Sequence, residues 1–170
     1  MTGVGAAFFF VIAPGTVAGF IPYRLTGWQE EAAFPGGAIR RVAGAVLILG
    51  GVASLVESFA RFVRKGLGTP APVAPPKELV VSGQYRHVRN PMYVAVLATI
   101  LGQSLVLGSV RLLAYAVLVW LVFHAVIVLY EEPTLARTFG ESYRAYRHAV
   151  GRWWPRARPW EESGSGTKEP

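Results

Sequence analysis

Long apolar runs separated by short polar segments dominate this chain. Four of them cover residues 4–21, 42–59, 91–110 and 112–130, with few charged residues inside them. Each run is close to the roughly 20 residues that a helix needs to cross about 30 Å of hydrocarbon. Because the runs are apolar on all sides, one small soluble core could not bury them all. The pattern predicts an all-α polytopic membrane protein with about four transmembrane helices.

The third and fourth runs are separated by little more than Gly108, Ser109 and Arg111, which predicts a tight antiparallel hairpin. Small residues recur within the runs, for example Ala98 and Gly102, four positions apart on the third. Small side chains let helices approach closely in a membrane, so we interpret these two as packing residues.

The first run contains Pro14, has no basic segment ahead of it and carries no clear small-x-small cleavage site. These features favour a retained, kinked span over a cleaved signal peptide. Residues 68–76 are rich in proline and alanine, which predicts an extended linker. Residues 161–170 are predicted to be a disordered tail. We therefore expect residues 1–160 to form a single membrane-embedded domain.

After the fourth run, apolar residues recur at spacings of three and four, with charged residues on the other faces. This predicts an amphipathic helix over residues 134–150 at the cytoplasmic side, with Gly151 as its stop. One interpretation is an interfacial anchor, helped by Trp153, Trp154 and Trp160. The other is a lid over a site at the membrane boundary.

Composition supports lipid as the solvent. The chain is 52% hydrophobic and only 16% charged, against about 25% charged in a typical soluble domain. Its net charge of +7 comes from basic residues that lie between the apolar runs and after the last one, so a nucleic-acid binder is not expected. The absence of cysteine excludes disulfides, thiolate metal sites and a cysteine nucleophile, and no metal site is predicted.

The distribution of lysine and arginine predicts the orientation. With four spans, one side holds thirteen basic residues: Arg61, Arg64, Lys65, Lys77, Arg86, Arg89, Arg137, Arg144, Arg147, Arg152, Arg156, Arg158 and Lys168. The other side holds four: Arg24, Arg40, Arg41 and Arg111. Because basic residues concentrate on the cytoplasmic side, both termini are predicted to be cytoplasmic.

Asn90 and Pro91 suggest the start of the third helix, with an N-cap residue followed by proline at the first helical position. Arg86 and Arg89 lie just ahead of this start. A helix N-terminus with nearby arginines suits a carboxylate or phosphate ligand. The alternative is ordinary capping, with the arginines reaching lipid headgroups.

Glu131 and Glu132 directly follow the fourth run, where the helix dipole disfavours negative charge. We expect Arg86, Arg89 or a bound cationic ligand to compensate them. His124 lies seven residues before Glu131, on the same helical face, and an ionisable residue within a span is a functional candidate. A hydrogen-bonded structural histidine is the alternative.

Four short motifs in the second half of the chain resemble one family. They are Ser82-Gly83-Gln84-Tyr85 through Arg89-Asn90-Pro91-Met92-Tyr93; Glu131-Glu132-Pro133-Thr134-Leu135; Phe139-Gly140-Glu141-Ser142-Tyr143-Arg144-Ala145-Tyr146; and Val150 through Pro155. In order and spacing they resemble the isoprenylcysteine carboxyl methyltransferase and phospholipid methyltransferase group of membrane enzymes, including its bacterial members. The resemblance covers about residues 79–155.

The resemblance implies methyl transfer from S-adenosyl-L-methionine to an amphiphilic acceptor from the bilayer, in a bacterial plasma membrane. Carried over by position, the cofactor-binding residues are Leu79, Val80, Tyr85, Asn90, Pro91, Met92, Tyr93, Glu131 and Glu132. The candidate catalytic residues are Arg89, Glu131 and His124.

The acceptor stays open between an isoprenylcysteine-like carboxylate and a lipid amine. Ile127 occupies the position of an arginine that the eukaryotic relatives assign to substrate, and Asn90 that of their histidine before proline. Two other functions remain: a non-catalytic membrane scaffold that keeps the architecture, and a small transporter. The transporter is disfavoured because polar residues lie at the membrane boundary and no inverted repeat is evident.

Overall fold

The computed structural model describes residues 12–31, 33–65 and 79–161. Regular structure in these ranges is helical throughout, as predicted. The helices are α1 (Ile21–Thr26, preceded by a π-helical stretch Thr16–Phe20), α2 (Gly37–Lys65), α3 (Pro91–Leu107), α4 (Val110–Val126) and α5 (Glu132–Ala149). A 3₁₀ turn (Gly83–Arg86) precedes α3, and a π-helical stretch (Ile127–Glu131) joins α4 to α5.

Among the described residues, two helices are long and apolar enough to cross a membrane: Gly37–Arg61 within α2, and the continuous helix Val110–Ala149. Helix α3 is apolar but shorter. The described part of the first run, from residue 12 onward, is helical through Thr26. The rest of that run, the predicted linker over 68–76 and all but the first residue of the predicted tail lie outside the described residues.

Helices α2 and α3 pack backbone against backbone. A Cβ added at Gly44 would lie 2.6 Å from the carbonyl oxygen of Gly102, and one at Gly102 would lie 2.6 Å from that of Gly44. A Cβ at Gly51 would lie 2.7 Å from the carbonyl oxygen of Ala95. Gly102 thus has the packing role predicted for it. This close approach fixes the lengthwise register of α2 against the helix that begins at Pro91.

The predicted hairpin between α3 and α4 is confirmed. Gly108 ends α3 in the left-handed conformation, with φ of 65°. Ser109 caps α4, and its hydroxyl accepts from the Leu112 N–H at 3.3 Å. The hydroxyl of Ser104 donates to the Ser109 carbonyl at 2.9 Å, which closes the turn.

Side chains of neighbouring helices supply hydrogen bonds that the irregular helix near the N-terminus lacks. Pro22 has no N–H to offer the preceding turn. The carbonyl of Val17 accepts from the Tyr115 hydroxyl at 2.9 Å, and that of Ala18 accepts from the Gln103 amide at 2.7 Å. Polar backbone groups within lipid need such partners from within the protein.

The predicted amphipathic helix exists but differs from its prediction in two ways. It starts at Glu132 and not at residue 134, and a π-helical stretch makes it continuous with α4, one of the two arrangements expected. It is also kinked at Gly140, whose φ of 51° and ψ of −123° are not helical. The periodicity of apolar residues continues across the kink, so sequence spacing alone does not indicate it.

The apolar side of α5 packs on protein. Tyr143, Tyr146 and Val150 are almost fully buried and form a small second core. Leu79 and Val81, from the segment before α3, pack against it. The helix therefore covers the segment that leads into α3.

Candidate functional site

The segment before α3 (residues 79–90, the signature loop) is fixed to α2 through Gln84. The Ser54 hydroxyl donates to the side-chain oxygen of Gln84 at 2.5 Å, and the Gln84 amide donates to the Glu57 carboxylate. Arg61 pairs with the same carboxylate, with 2.6 Å from its Nε to Oε1. Gly83 has a φ of 59°, and a Cβ there would lie 2.2 Å from the guanidinium carbon of Arg61.

Helix α3 begins at Pro91, as predicted, but Asn90 does not cap it with its side chain. The Asn90 amide donates instead to the Arg152 carbonyl, at 3.2 Å. Sequence reasoning missed this because Arg152 lies 62 positions further along the chain. The side chain of Asn90 therefore leaves the first-turn N–H groups of α3 uncapped.

Glu131 meets the start of α3 directly, because the hydroxyl of Tyr93 donates a short hydrogen bond to its carboxylate. The ring of Tyr93 also packs against Phe123 of α4, with ring centroids 4.5 Å apart. Within the described residues, no lysine, arginine or histidine forms an ion pair with Glu131. The two segments that the sequence analysis singled out thus come together.

Tyr85 lies close to the same carboxylate. Burial raises the pKa of its phenol, and the neighbouring Tyr146 and the charge of Glu131 raise that pKa further. Its backbone carbonyl accepts from the Tyr146 hydroxyl at 2.6 Å. Tyr85 is thus within electrostatic range of Tyr93 and Glu131.

Glu132 has different partners from Glu131. Arg152 binds it through two atoms, with Nε 2.7 Å from Oε1 and Nη2 2.9 Å from Oε2. Arg89 adds a contact of 3.0 Å to Oε1 and donates to the Tyr143 hydroxyl at 3.4 Å. The hydrogen bond to Glu132 raises the pKa of the Arg152 guanidinium, although burial opposes this. We call Glu132 with Arg89 and Arg152 the carboxylate clamp.

Arg89 therefore compensates the negative charge of Glu132, as expected, but it does not pair with Glu131. Arg86 contributes elsewhere: it donates to the Trp160 carbonyl at 2.7 Å and pairs with Glu161 at 2.8 Å. The major partner, Arg152, was missed as a site residue. A signal was present, since it is the only charged residue among positions 150–155 of the last motif.

Residues 150–161, the C-terminal segment, lie along the signature loop. Their backbones pair at three points: Arg89 N–H to Gly151 C=O, Arg156 N–H to His87 C=O, and Trp160 N–H to Arg86 C=O, each at 2.9 Å. The ring of His87 also contacts the Arg156 carbonyl at 2.8 Å. This segment forms one wall of the region around the signature loop.

His124 faces two tryptophans. The indole N–H of Trp153 donates to its Nδ1 at 3.3 Å, and the rings of Trp153 and Trp120 lie 6.3 and 5.4 Å from it between centroids. No hydrogen bond in the described part of the chain joins His124 to another candidate residue. The π-helical stretch between His124 and Glu131 changes the angular relation that a regular helix would give them.

The other candidate cofactor residues are distributed around the loop and helix start. Leu79 packs on the tyrosines of α5, Pro91 is buried, and Met92 packs against the apolar core between the helices. Val80 is half-buried. Chemically, the site combines two aromatic rings with a carboxylate that has no cationic partner in the part of the chain that the structure describes, which suits a cationic or hydroxyl-bearing ligand.

These features define a class: a helical membrane protein whose polar site forms where the signature loop, α3 and the α4–α5 junction meet. Comparison with known proteins identifies the family. The family model described as phospholipid methyltransferase matches residues 39–142, well over half of the chain. The chain belongs to this family, which confirms the resemblance found in its motifs.

A curated relative supports the same group. Over 73 residues the chain is 38% identical to the protein-S-isoprenylcysteine O-methyltransferase of Schizosaccharomyces pombe. The aligned part is 42% of this chain and 30% of that relative. The chain thus matches less than a third of the relative's length.

Proposed function

We propose that the protein transfers a methyl group from S-adenosylmethionine to an amphiphilic acceptor dissolved in the bilayer. The observation that carries the proposal is the carboxylate of Glu131, which accepts from the Tyr93 hydroxyl and has no cationic partner among the described residues, in a member of a methyltransferase family. A partly buried carboxylate without a counterion is costly, and a cationic ligand would relieve that cost.

The side chains fit this cofactor at both of its polar ends. Its ammonium and ribose hydroxyls suit Glu131, and its sulfonium suits the aromatic faces of Tyr85 and Tyr93. Its carboxylate suits the uncapped start of α3 and Arg89, whose buried Nε has no hydrogen-bond partner in the described structure. Asn90, Pro91 and Met92 would form the wall at the helix start, with Leu79 and Val80 on the loop side.

When bound, S-adenosylmethionine would supply an electrophilic methyl group. The residues of this chain would align the acceptor with that methyl group and exclude water, and such positioning provides most of the catalysis. His124 remains a candidate near the acceptor's path. Since its Nδ1 accepts from Trp153, a neutral His124 presents an N–H at Nε2.

The proposed topology has four spans, with residues 1–160 as one domain and both termini cytoplasmic, in a bacterial plasma membrane. On the side opposite the termini in this topology, three arginines form ion pairs with two glutamates. Glu30 pairs with Arg40 and Arg41 at 2.9 and 2.8 Å, and Glu31 pairs with Arg111. The orientation itself rests on the count of lysine and arginine, thirteen against four, because acidic residues contribute little to it.

The acceptor would enter sideways from the lipid, while the cofactor would enter from the cytoplasm. Both an isoprenylcysteine-like carboxylate and a lipid amine are compatible with this route.

The test uses purified protein in detergent or lipid nanodiscs. S-adenosylhomocysteine should raise the melting temperature, because a ligand that binds only the native state stabilises it. Radiolabelled methyl groups should then pass from S-adenosylmethionine into lipid extracted from native membranes. A melting temperature that does not change would contradict the proposal and favour the scaffold alternative.

A further inference from the structure

Glu131 and Glu132 are adjacent in the chain, yet their carboxylates have opposite surroundings. The carboxylate of Glu131 is bound by the hydroxyl of Tyr93, a neutral group. Both oxygens of Glu132 are bound by arginines: Oε1 by Arg89 and Arg152, and Oε2 by Arg152. The Glu132 side chain is only 10% exposed.

We propose that the two glutamates have separate tasks. Glu131 binds the ligand, and Glu132 is a positioning residue that holds the C-terminal segment against the signature loop. The part concerning Glu131 rests on the proposed function, whereas the part concerning Glu132 rests on its protein contacts alone.

The carboxylate clamp joins three separate pieces of chain. Glu132 is the first residue of α5, Arg89 lies just before the start of α3, and Arg152 belongs to the C-terminal segment. Two further bonds run in parallel: Arg89 N–H to the Gly151 carbonyl, and the Asn90 amide to the Arg152 carbonyl. Glu132 is the anion that holds both arginines at this junction.

The clamp leaves Glu132 little capacity for a ligand. A ligand cation at Glu132 would have to displace arginines, and a partly buried charge that loses its partner is strongly disfavoured. Glu131 needs no such exchange, since its partner is a hydroxyl that can donate to or accept from a ligand. The resemblance placed both glutamates among the cofactor-binding residues, and these contacts favour Glu131 alone for that task.

The test compares Glu131→Gln with Glu132→Gln by two measurements. One is the affinity for S-adenosylhomocysteine by calorimetry in detergent. The other is the rate of tryptic cleavage after Arg156, whose N–H and guanidinium bond to the His87 and Ala149 carbonyls and should protect it. Glu141→Gln is the control, since Glu141 is 84% exposed and pairs only with Arg144 in the described structure.

Glu131→Gln should lower the affinity about 10- to 100-fold, the range for losing a charged hydrogen bond, and leave cleavage unchanged. Glu132→Gln should speed cleavage several-fold and lower the affinity by less than Glu131→Gln does. Arg152→Gln removes the arginine partner of the same ion pair and should likewise speed cleavage and lower the affinity by less than Glu131→Gln does. The double variant Glu132→Gln/Arg152→Gln should be no worse than Glu132→Gln alone, because Glu132→Gln already removes the interaction with Arg152.

The proposal is overturned if Glu132→Gln abolishes binding while Arg156 stays protected, or if the Glu132 and Arg152 effects simply add. If the wild-type protein binds no S-adenosylhomocysteine, the proposed function and the task given to Glu131 both fail. The cleavage rates still decide the task of Glu132 in that case, so the two failures are distinguishable.

Discussion

The hydrogen bond between Tyr93 and Glu131 links the start of α3 to the end of the π-helical stretch that follows α4. Some charged groups around this bond already have an oppositely charged partner in the protein, and others are available to bind a ligand. Arg89 belongs to both groups: Nη1 binds Glu132, while its buried Nε has no partner in the described structure. This division leads to specific expectations for single substitutions.

Arg89→Ala should weaken S-adenosylhomocysteine binding about tenfold or more, because it removes a donor to the ligand and one cation from Glu132. Arg158→Ala is the matched control, since Arg158 is exposed. Calorimetry in detergent measures both. Equal effects of the two substitutions would refute the placement of Arg89 in the site.

Gly83→Ala should destabilise the protein by about 1–3 kcal/mol, because Gly83 has positive φ; the added Cβ would also displace the end of the flexible Arg61 side chain, which costs little. Gly50→Ala is the control, since a Cβ at Gly50 meets nothing within 4 Å and alanine favours the helix. Thermal unfolding in detergent gives the comparison. A Gly83→Ala protein as stable as Gly50→Ala would contradict the left-handed conformation of Gly83.

The helices place the site through the contact of α2 with α3. Gly102→Val should destabilise the protein by about 1–3 kcal/mol or more, because the new side chain would force α3 away from Gly44. It should also weaken cofactor binding, since Gln84 ties the loop to α2. Gly50→Val provides a control at an open position of α2. Loss of stability in both variants alike would argue against a specific contact at Gly102.

Sequence patterns predicted the helices well because apolar runs and turn residues are local signals. Gly108 and Ser109 end one helix and begin the next through their own backbone and side-chain preferences. The kink at Gly140 and the π-helical stretch before Glu132 were missed, since neither alters the apolar spacing enough to be noticed.

The partners of the site residues were harder to predict than the residues themselves. Glu131 and Tyr93 were named from their motifs, but their hydrogen bond depends on how α3 and α4 pack. The Glu132–Arg152 contact spans 20 positions and a helix, so no local spacing indicates it. The Asn90 amide likewise bonds to a residue far along the chain, whereas its local sequence predicted that it caps α3.

The orientation of the molecule in the membrane can be tested because the sequence contains no cysteine. Ala33→Cys and Arg158→Cys place single thiols at exposed positions on opposite sides of the proposed topology. In intact cells an impermeant maleimide should label Ala33→Cys alone, and Arg158→Cys should react only after lysis. The reverse pattern would contradict cytoplasmic termini.

The most direct measurement is a structure determined with S-adenosylhomocysteine bound. The account predicts ligand density between Tyr85, Tyr93 and Glu131, with the Glu131 carboxylate on the amino or ribose end and the carboxylate clamp intact. Ligand density elsewhere, with the Tyr93–Glu131 hydrogen bond undisturbed, would contradict the proposed site.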